Sequence, residues 1–254
     1  MSDSTLSVSS QGPIRIITFA NPPHNHIDTP LMIKMADALE AHDEDSTCRV
    51  NVLLASGRVY CAGADLVSGS SDIANDPAPF YEQVMRLYRI RKPTVTLVQG
   101  AAVGAGLGLA VAADFRVATP AARFCANFNR LGIHPGFGLS VTLPRLIGEQ
   151  RAATLFFTGR RLNAEQALAI GLVDEVCAEE AGLDRAISLA RELAASSPRA
   201  LQLTRETLRL GLADTIETVN RREREIQMTQ FGTPEAAEGI AAMSARRLPN
   251  FPDF

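Results

Sequence analysis

The sequence predicts an α/β fold built around a largely parallel sheet. Over the first two thirds of the chain, short β-rich apolar runs alternate with segments of helical periodicity, which is the pattern of repeated βαβ units. In the last third the strand signals nearly vanish and helical segments follow one another. The 254 residues, 46% of them hydrophobic, suffice for one large domain or for a domain with an appended subdomain.

Four strands and three helices are predicted in the first part of the chain. The first helix has apolar residues at Leu31, Met35, Ala38 and Leu39, with Thr29 as its N-cap. The Ser-, Asp- and Pro-rich residues 67–79 predict a mobile loop. The predicted strands cover residues 13–20, 50–55, 93–98 and 115–118, and the predicted helices cover residues 30–43, 80–89 and 104–112.

Six helices and one strand are predicted in the last third. Asn163 is expected to cap its helix, because Gln166 stands three residues later and completes a capping box. The helices cover residues 149–157, 163–170, 183–196, 198–210, 215–230 and 234–246, and the strand covers residues 172–176. We expect a core over residues 1–195. The helical region over residues 196–254 would then form an oligomer interface or cover the chain's own core.

Composition argues against several classes of partner. The net charge of −3 gives no reason to expect nucleic acid or an anionic membrane surface. No run of about 18 apolar residues is long enough to span a bilayer, and no secretory signal is recognised. Four dispersed cysteines predict free thiols and a cytoplasmic protein. They are Cys48, Cys61, Cys125 and Cys177.

Two turns of small residues carry the functional signal. Residues 60–66 (YCAGADL) and 100–110 (GAAVGAGLGLA) each follow a β-rich run and leave the backbone accessible. Two such turns can aim peptide N–H groups at one anionic oxygen, as enolate and acyl-transfer chemistry requires. Cys61 is expected to be a small buried residue rather than a nucleophile. His24, His26 and Asp28 have no further ligand nearby in the sequence, so no metal site is expected.

Further motifs follow these turns in a fixed order. They are residues 130–136 (RLGIHPG), 143–148 (LPRLIG), 158–160 (TGR) and 167–174 (ALAIGLVD). Together with the two turns, the series resembles the enoyl-CoA hydratase/isomerase (crotonase) superfamily over about residues 12–246. The resemblance implies a spiral of ββα turns, a helical C-terminal region that forms homotrimers or hexamers, and an acyl-CoA thioester as ligand. Coenzyme A would be carried by the substrate, so no other cofactor is expected.

The resemblance also implies roles for individual residues. The backbone N–H groups of Ala62 and Ala105 would hold the thioester oxygen. Ala105 begins a predicted helix, where an N–H lacks an intrahelical partner and the helix dipole favours negative charge. The implied substrate-binding residues are His24, His26, Asp65, Leu66, Gly104, Gly108 and Phe128, although for Asp65 we favour the alternative role of capping the backbone after the tight turn.

One departure from the family pattern bears on the activity. Hydratases of the family use two glutamates to activate water and to protonate the α-carbon, and these positions hold Gly108 and Phe128 here. Gly136 stands where dehalogenases of the family place a nucleophilic aspartate. Hydration of a 2-enoyl-CoA is the activity that the resemblance implies. Neither Gly108 nor Phe128 accepts a proton, however, and a positioned acid–base group usually contributes about 10²–10⁴-fold.

Three explanations stay open. In the first, other residues move the protons, with His134 the best candidate because histidine side chains titrate near neutral pH. Asn127 and Asn129 would position water or a carbonyl, and Tyr60, Tyr81, Glu82 and Tyr88 would reach in from nearby. In the second, the reaction needs only a stabilised enolate, as in decarboxylation of a malonyl-type thioester or cleavage of a β-dicarbonyl. In the third, the chain binds acyl-CoA without turnover.

One charged segment remains outside these motifs. Residues 221–225 (RRERE) predict a charge-paired, solvated helix face. Its basic members would alternatively contact the phosphates of coenzyme A.

Overall fold

The main sheet has six strands. A computed structural model describes residues 4–66, 73 and 76–251 of the chain, and within them the strand order is β1-β2-β3-β4-β6-β9. β1 runs antiparallel to β2, and every later pair is parallel, which confirms the predicted sheet. The strands are β1 (Thr5–Gln11), β2 (Ile14–Ala20), β3 (Val50–Ala55), β4 (Thr94–Val98), β6 (Phe115–Ala118) and β9 (Glu175–Val176).

A second, smaller sheet was not predicted. It contains β5 (Ala101–Val103), β7 (Arg123–Cys125) and β8 (Arg161–Asn163), in the order β5-β7-β8. β5 and β7 are parallel, and β7 and β8 are antiparallel. Each strand has three residues, too few for an alternating pattern to stand out in the sequence. This sheet matters for the site because β5 carries the second small-residue turn.

The predicted helices are present, with shifted ends. Asp28, not Thr29, caps the first helix, because its Oδ1 accepts the Leu31 N–H at 2.8 Å. The capping box of Asn163 and Gln166 is confirmed. The helices are α1 (Thr29–Glu44), α2 (Ala78–Arg89), α3 (Ala105–Ala112), α4 (Leu139–Ile147), α5 (Glu149–Thr158), α6 (Ala164–Ala169), α7 (Gly182–Ala194), α8 (Pro198–Leu208), α9 (Leu212–Gln230) and α10 (Pro234–Ser244).

Two predicted segments come out differently. The strand expected over residues 172–176 is confined to β9, because the N–H groups of Leu172 and Val173 donate to the Ala167 carbonyl and close the end of α6. Of the loop predicted over residues 67–79, residues 67–72 and 74–75 lie outside the described part of the chain, and α2 already begins at Ala78.

Both faces of the main sheet are covered, as a parallel sheet requires. On one face α7 packs Ala186, Ile187 and Ala190 against strand residues such as Val52 and Val95. The other face contributes to a larger core that includes α1, α2 and α3. The two small-residue turns lie at the edge of this larger core.

The C-terminal helices behave in two ways. α9 packs against α2 and α4, and α10 packs against a 3₁₀ turn at Phe128–Leu131, so both cover the chain's own core. α8 has no buried residue. Within the described residues, none of the helices has both the length and the apolar character needed to cross a membrane.

Candidate active site

The two small-residue turns lie against each other, backbone to backbone. The Cys61 N–H donates to the Ala101 carbonyl at 2.9 Å, and the Val103 N–H donates to the Cys61 carbonyl at 3.0 Å. A Cβ atom added at Gly106 would lie 2.2 Å from the Cys61 carbonyl oxygen. Only glycine therefore permits this contact between the start of α3 and the first turn.

Gly63 brings the first turn to the N-terminus of α3. Its φ of +88° lies in the left-handed region that favours glycine. A Cβ atom at Gly63 would lie 2.7 Å from the Val103 carbonyl oxygen and 3.5 Å from the Ala105 nitrogen. The first turn and the first amide of α3 are therefore immediate neighbours.

The direction of the amides corrects one expectation. The Ala62 N–H donates to the His24 carbonyl at 3.1 Å, so the prediction that Ala62 supplies a free donor is wrong. The N–H groups of Ala64 and Ala105 have no hydrogen-bond partner among the residues that the structure describes. The pair of available donors is therefore Ala64 and Ala105. The sequence gives no means of choosing between two alanines that flank one glycine.

Both alanines line a cavity of about 380 Å³ with largely apolar walls. The walls come from the segment before α1, the two turns, α2, residues 127–133, α9 and α10. Of the expected substrate-binding residues, His24, His26, Leu66, Gly104 and Phe128 line this cavity. Among the described residues, Asp65 and Gly108 do not line it.

The three positions that correspond to family carboxylates hold no acid, and two of them leave no room for one. A Cβ atom at Gly108 would lie 2.5 Å from Cγ of Phe137, so this aromatic ring fills the place of a side chain. Phe128 itself is only 6% exposed and packs into the core. A Cβ atom at Gly136 would lie 2.0 Å from the Tyr81 hydroxyl oxygen. Gly108 and Gly136 are therefore closed to a longer side chain unless their neighbours move, whereas position 128 contributes an apolar ring to the cavity wall.

His134 does not reach this cavity, contrary to expectation. Its N–H donates to Gln230 Oε1 at 2.6 Å, and its Nδ1 lies 2.7 Å from the Pro135 carbonyl oxygen. The side chain lines a separate cavity beside Gln230 and Thr233. Its chain neighbour Ile133 lines the main cavity instead, so the turn presents an apolar residue to the site.

Tyr81 is the one of the three tyrosines that lines the main cavity. Its hydroxyl donates to Gln227 Oε1 at 2.7 Å, and Gln227 Nε2 donates to the His134 carbonyl at 2.7 Å. Burial raises the pKa of Tyr81 well above its ordinary value, so the side chain is a neutral hydrogen-bond donor rather than a base. Tyr60 is fully buried and pairs with Thr96.

Of the remaining candidates Tyr88, Asn127 and Asn129, only Asn127 lines the main cavity. The Tyr88 hydroxyl donates to the Phe137 carbonyl at 3.0 Å, which holds the ring that fills the Gly108 position. Asn127 lines the main cavity, and Asn129 lines the cavity of His134. Cys61 is fully buried and its pKa is raised to about 12 by that burial, which fits a small core residue rather than a nucleophile.

Glu223 corrects the expectation of a solvated helix face over residues 221–225. The side chain is fully buried, and its two oxygens accept the N–H groups of Gly138 at 2.8 Å and Ser140 at 3.0 Å, at the start of α4. Burial raises the pKa of Glu223 to about 7. No sequence signal distinguished this glutamate from its exposed neighbour Glu225, because the burial depends on packing between α9 and α4.

A second cavity of about 790 Å³ adjoins the first and is strongly cationic. The two cavities share His24, Asn127 and Arg161 in their walls. Arg221, Arg222 and Arg224, the alternative phosphate contacts that the sequence suggests, line neither of these two cavities. The arginines of the second cavity are Arg130, Arg160, Arg161, Arg246 and Arg247. Its walls therefore suit an anionic part of a ligand whose apolar part occupies the first cavity.

Fold and site together define an α/β protein with an apolar cavity beside a cationic one. The apolar cavity is lined by two backbone amides that have no partner within the described part of the chain. The family model for enoyl-CoA hydratase/isomerase matches residues 9–253. The chain therefore belongs to the enoyl-CoA hydratase/isomerase family and is an enzyme of that family, whose substrates are acyl-CoA thioesters.

Individual relatives agree with this assignment. A probable enoyl-CoA hydratase of Rhizobium meliloti (strain 1021) is 34% identical over 99% of each chain. The 1,2-epoxyphenylacetyl-CoA isomerase of Escherichia coli (strain K12) is 34% identical over 89% of this chain and 90% of its own. The crystal structure of an enoyl-CoA hydratase/isomerase from Pseudoalteromonas atlantica T6c matches with a TM-score of 0.88 and 28% identity, over 97% of this chain and 99% of that one. The crotonase fold and the helical C-terminal region are thereby confirmed.

Proposed function

We propose that the protein binds an acyl-CoA with its thioester carbonyl oxygen between the N–H groups of Ala64 and Ala105. One observation carries this proposal: two neighbouring turns each present an unpartnered amide to the same apolar cavity. Such donors stabilise the negative charge that develops on the oxygen when an enolate or a tetrahedral intermediate forms. Loss of one donor typically costs about 3–4 kcal/mol of transition-state stabilisation.

The charge of the two cavities supports an orientation for the ligand. The acyl group would occupy the apolar cavity, and the phosphates of coenzyme A would lie in the cavity lined by Arg130, Arg160 and Arg161. Arginine recognises phosphate by charge and by paired hydrogen bonds. His24 stands in the walls of both cavities and would therefore lie beside the pantetheine arm.

For the reaction, the absence of a carboxylate at Gly108, Phe128 and Gly136 favours chemistry that needs no carboxylate from the protein. Decarboxylation of a malonyl-type thioester meets this condition. The bond between the α-carbon and the carboxylate breaks, carbon dioxide leaves, and the electron pair passes to the thioester oxygen between Ala64 and Ala105. The α-carbon then takes a proton from water. Hydrolytic cleavage of a β-keto thioester is the related alternative, since it also passes through an enolate.

The test compares crotonyl-CoA with methylmalonyl-CoA and acetoacetyl-CoA, using the purified protein. We expect crotonyl-CoA hydration at least 10²-fold slower than in efficient family members, because two acid–base groups are absent. Release of carbon dioxide or of an acyl fragment from the other thioesters would support the enolate proposal. Fast hydration of crotonyl-CoA would contradict it. Tight binding of every thioester without turnover would identify a binding protein instead.

A specific observation favours a ring-bearing acyl group. Phe80, Tyr81, Phe128 and Phe231 all line the cavity, and aromatic side chains pack well against flat rings. The Escherichia coli relative named above acts, by its name, on a phenylacetyl-CoA derivative. We expect phenylacetyl-CoA to compete at lower concentration than crotonyl-CoA for the same site in equilibrium binding. The reverse order would contradict a ring-bearing substrate.

We also propose that the protein acts as a homotrimer or a hexamer in the cytoplasm. The unburied helix α8 supports an interface between copies, since it projects leucines into solvent in the single chain. The cysteines at positions 48, 61, 125 and 177 are free, which fits a reducing compartment.

A further inference from the structure

The peptide unit that joins Gly63 to Ala64 is held from its carbonyl side. The Gly63 carbonyl oxygen accepts the Ile27 N–H at 3.0 Å and lies 3.1 Å from Nδ1 of His26. A carbonyl oxygen only accepts, so Nδ1 carries the proton in this contact. Both lone pairs of the oxygen are then engaged by consecutive residues of the segment before α1.

The same peptide unit carries the N–H of Ala64. In a trans peptide the C=O and N–H bonds point in opposite directions, and among the described residues the one cis peptide bond is elsewhere, at Pro22–Pro23. Holding the Gly63 carbonyl on His26 and Ile27 therefore turns the Ala64 N–H away from them. Ala64 is also the residue at which the first turn presents an unpartnered amide to the cavity.

His26 stands on a segment that is itself fixed. Its carbonyl oxygen accepts from Asn21 Nδ2 at 2.7 Å. Its neighbour Asn25 is buried and donates through Nδ2 to the carbonyls of Ser56 at 2.8 Å and Val59 at 2.7 Å. The imidazole is half-buried and lines the cavity. These hydrogen bonds fix the backbone that carries the His26 ring, and the backbone in turn places the ring against the Gly63 carbonyl.

We propose that His26 is a positioning residue for the oxyanion donor Ala64. Its Nδ1–H fixes the plane of the Gly63–Ala64 peptide and polarises it, because a hydrogen bond to the carbonyl of an amide strengthens the N–H of that amide as a donor. A preoriented donor also needs no reorganisation when charge develops on the thioester oxygen. The inference rests on the proposed function, since it assigns His26 a role in polarising that oxygen.

The test measures polarisation directly, by infrared spectroscopy of butyryl-CoA labelled with carbon-13 at its carbonyl. Butyryl-CoA has no double bond to hydrate, so the spectrum reports bound thioester alone. We expect binding to the wild type to lower the carbonyl stretching frequency relative to water. His26→Ala should reduce this downshift by roughly 10–30%, which is the amount by which one hydrogen bond strengthens the next in a chain. His26→Asn should restore it, because Asn Nδ2 takes the place of His Nδ1.

His134→Ala is the matched control, since it also removes a histidine whose Nδ1 lies against a backbone carbonyl, but outside this cavity. It should leave the downshift unchanged. An unchanged downshift in His26→Ala, with butyryl-CoA still bound and lowered in frequency in the wild type, would overturn the role of His26 and leave the proposed function standing. A wild type that binds butyryl-CoA without any downshift would overturn the proposed function itself. Circular dichroism of each variant separates these outcomes from misfolding.

Discussion

Gly108 and Phe137 pack directly against each other. The absence of a side chain at Gly108 lets the Phe137 ring lie where its Cβ would be, and Phe137 adopts a positive φ of 65° that is costly for a non-glycine residue. The Tyr88 hydroxyl then fixes the Phe137 carbonyl. An acid cannot be restored at position 108 by substitution alone, because the ring already occupies that space.

Gly108→Ala should therefore lower the free energy of unfolding by about 1–3 kcal/mol, as overpacking of a close core contact does. A second substitution, Phe137→Leu, replaces the ring by a smaller side chain and should offset part of this loss in the double variant. Urea unfolding of the two single variants and the double variant measures the coupling between the positions. Additive losses would show that Phe137 does not fill the Gly108 site.

Glu223 gives the stability a distinctive pH dependence. Its pKa in the folded chain is raised to about 7 from an ordinary 4.5, so the folded state holds the proton more tightly than the unfolded state does. Its contribution to stability is therefore present at low pH and declines as the pH rises from about 4.5 through about 7. Glu223→Gln should remove this decline, as measured by urea unfolding across that range.

The matched control for Glu223 is Glu225→Gln, an exposed glutamate on the same helix. It should keep the pH profile of the wild type. Identical profiles in the wild type and Glu223→Gln would mean that Glu223 keeps its ordinary pKa despite its burial.

At the scale of elements, α8 is attached to the core by ion pairs and by one partly buried leucine, Leu201. Asp114, just before β6, pairs with Arg205 of α8 at 2.9 Å and with Arg209, the residue after α8, at 3.0 Å. The other leucines of α8 and the leucine of the turn after it point outward: Leu203 is 48% exposed, Leu208 68% and Leu210 83%. Such an apolar patch on an ordered helix is typical of an interface between protein chains.

Leu203→Glu combined with Leu208→Glu should therefore lower the mass of the protein in solution, measured by light scattering at micromolar concentration. The fold should survive, because neither leucine is buried in the single chain and the Asp114 contacts remain. Val8→Glu, at a residue of similar exposure (47%) on the edge strand β1, is the matched control and should leave the mass unchanged. A monomeric wild type would count against the interface.

At the scale of the whole molecule, the cavity joins distant parts of the chain. His26 precedes α1, Phe80 belongs to α2, Phe231 follows α9 and Met243 lies on α10. A ligand that contacts all of these stabilises them together, by about 2.7 kcal/mol when its concentration is 100 times Kd. The helices from the C-terminal third are thus part of the site and not only a cover.

Hydrogen exchange followed by mass spectrometry checks this coupling. Butyryl-CoA should slow exchange in α10 as well as in the two small-residue turns, because α10 contributes Met243 and Ser244 to the cavity wall. Peptides from β1, an edge strand of the main sheet that contributes no residue to the cavity wall, serve as the internal control and should exchange at the same rate with and without ligand. Protection confined to the two turns would mean that α10 plays no part in binding.

Much of the fold was predictable because its signals are local. Alternating apolar runs gave the strands of the main sheet, helical periodicity gave α1 and α2, and Asn163 with Gln166 gave the start of α6. The strands of the second sheet were not predictable, because three residues are too few to show an alternation of apolar and polar side chains. The helix cap at Asp28 was assigned one residue late, because Thr29 is an equally good capping type.

The site was predictable only in outline. The sequence by itself determined that two glycine-rich turns would present backbone amides, and that Gly108, Phe128 and Gly136 carry no carboxylate. Only the tertiary structure decided that Ala64 rather than Ala62 has an amide without a partner in the described part of the chain, that His134 faces another cavity, and that Glu223 is buried. The physical reason is that a free donor, an open cavity or a buried charge depends on which distant segment lies opposite, and that pairing is made by packing across the fold.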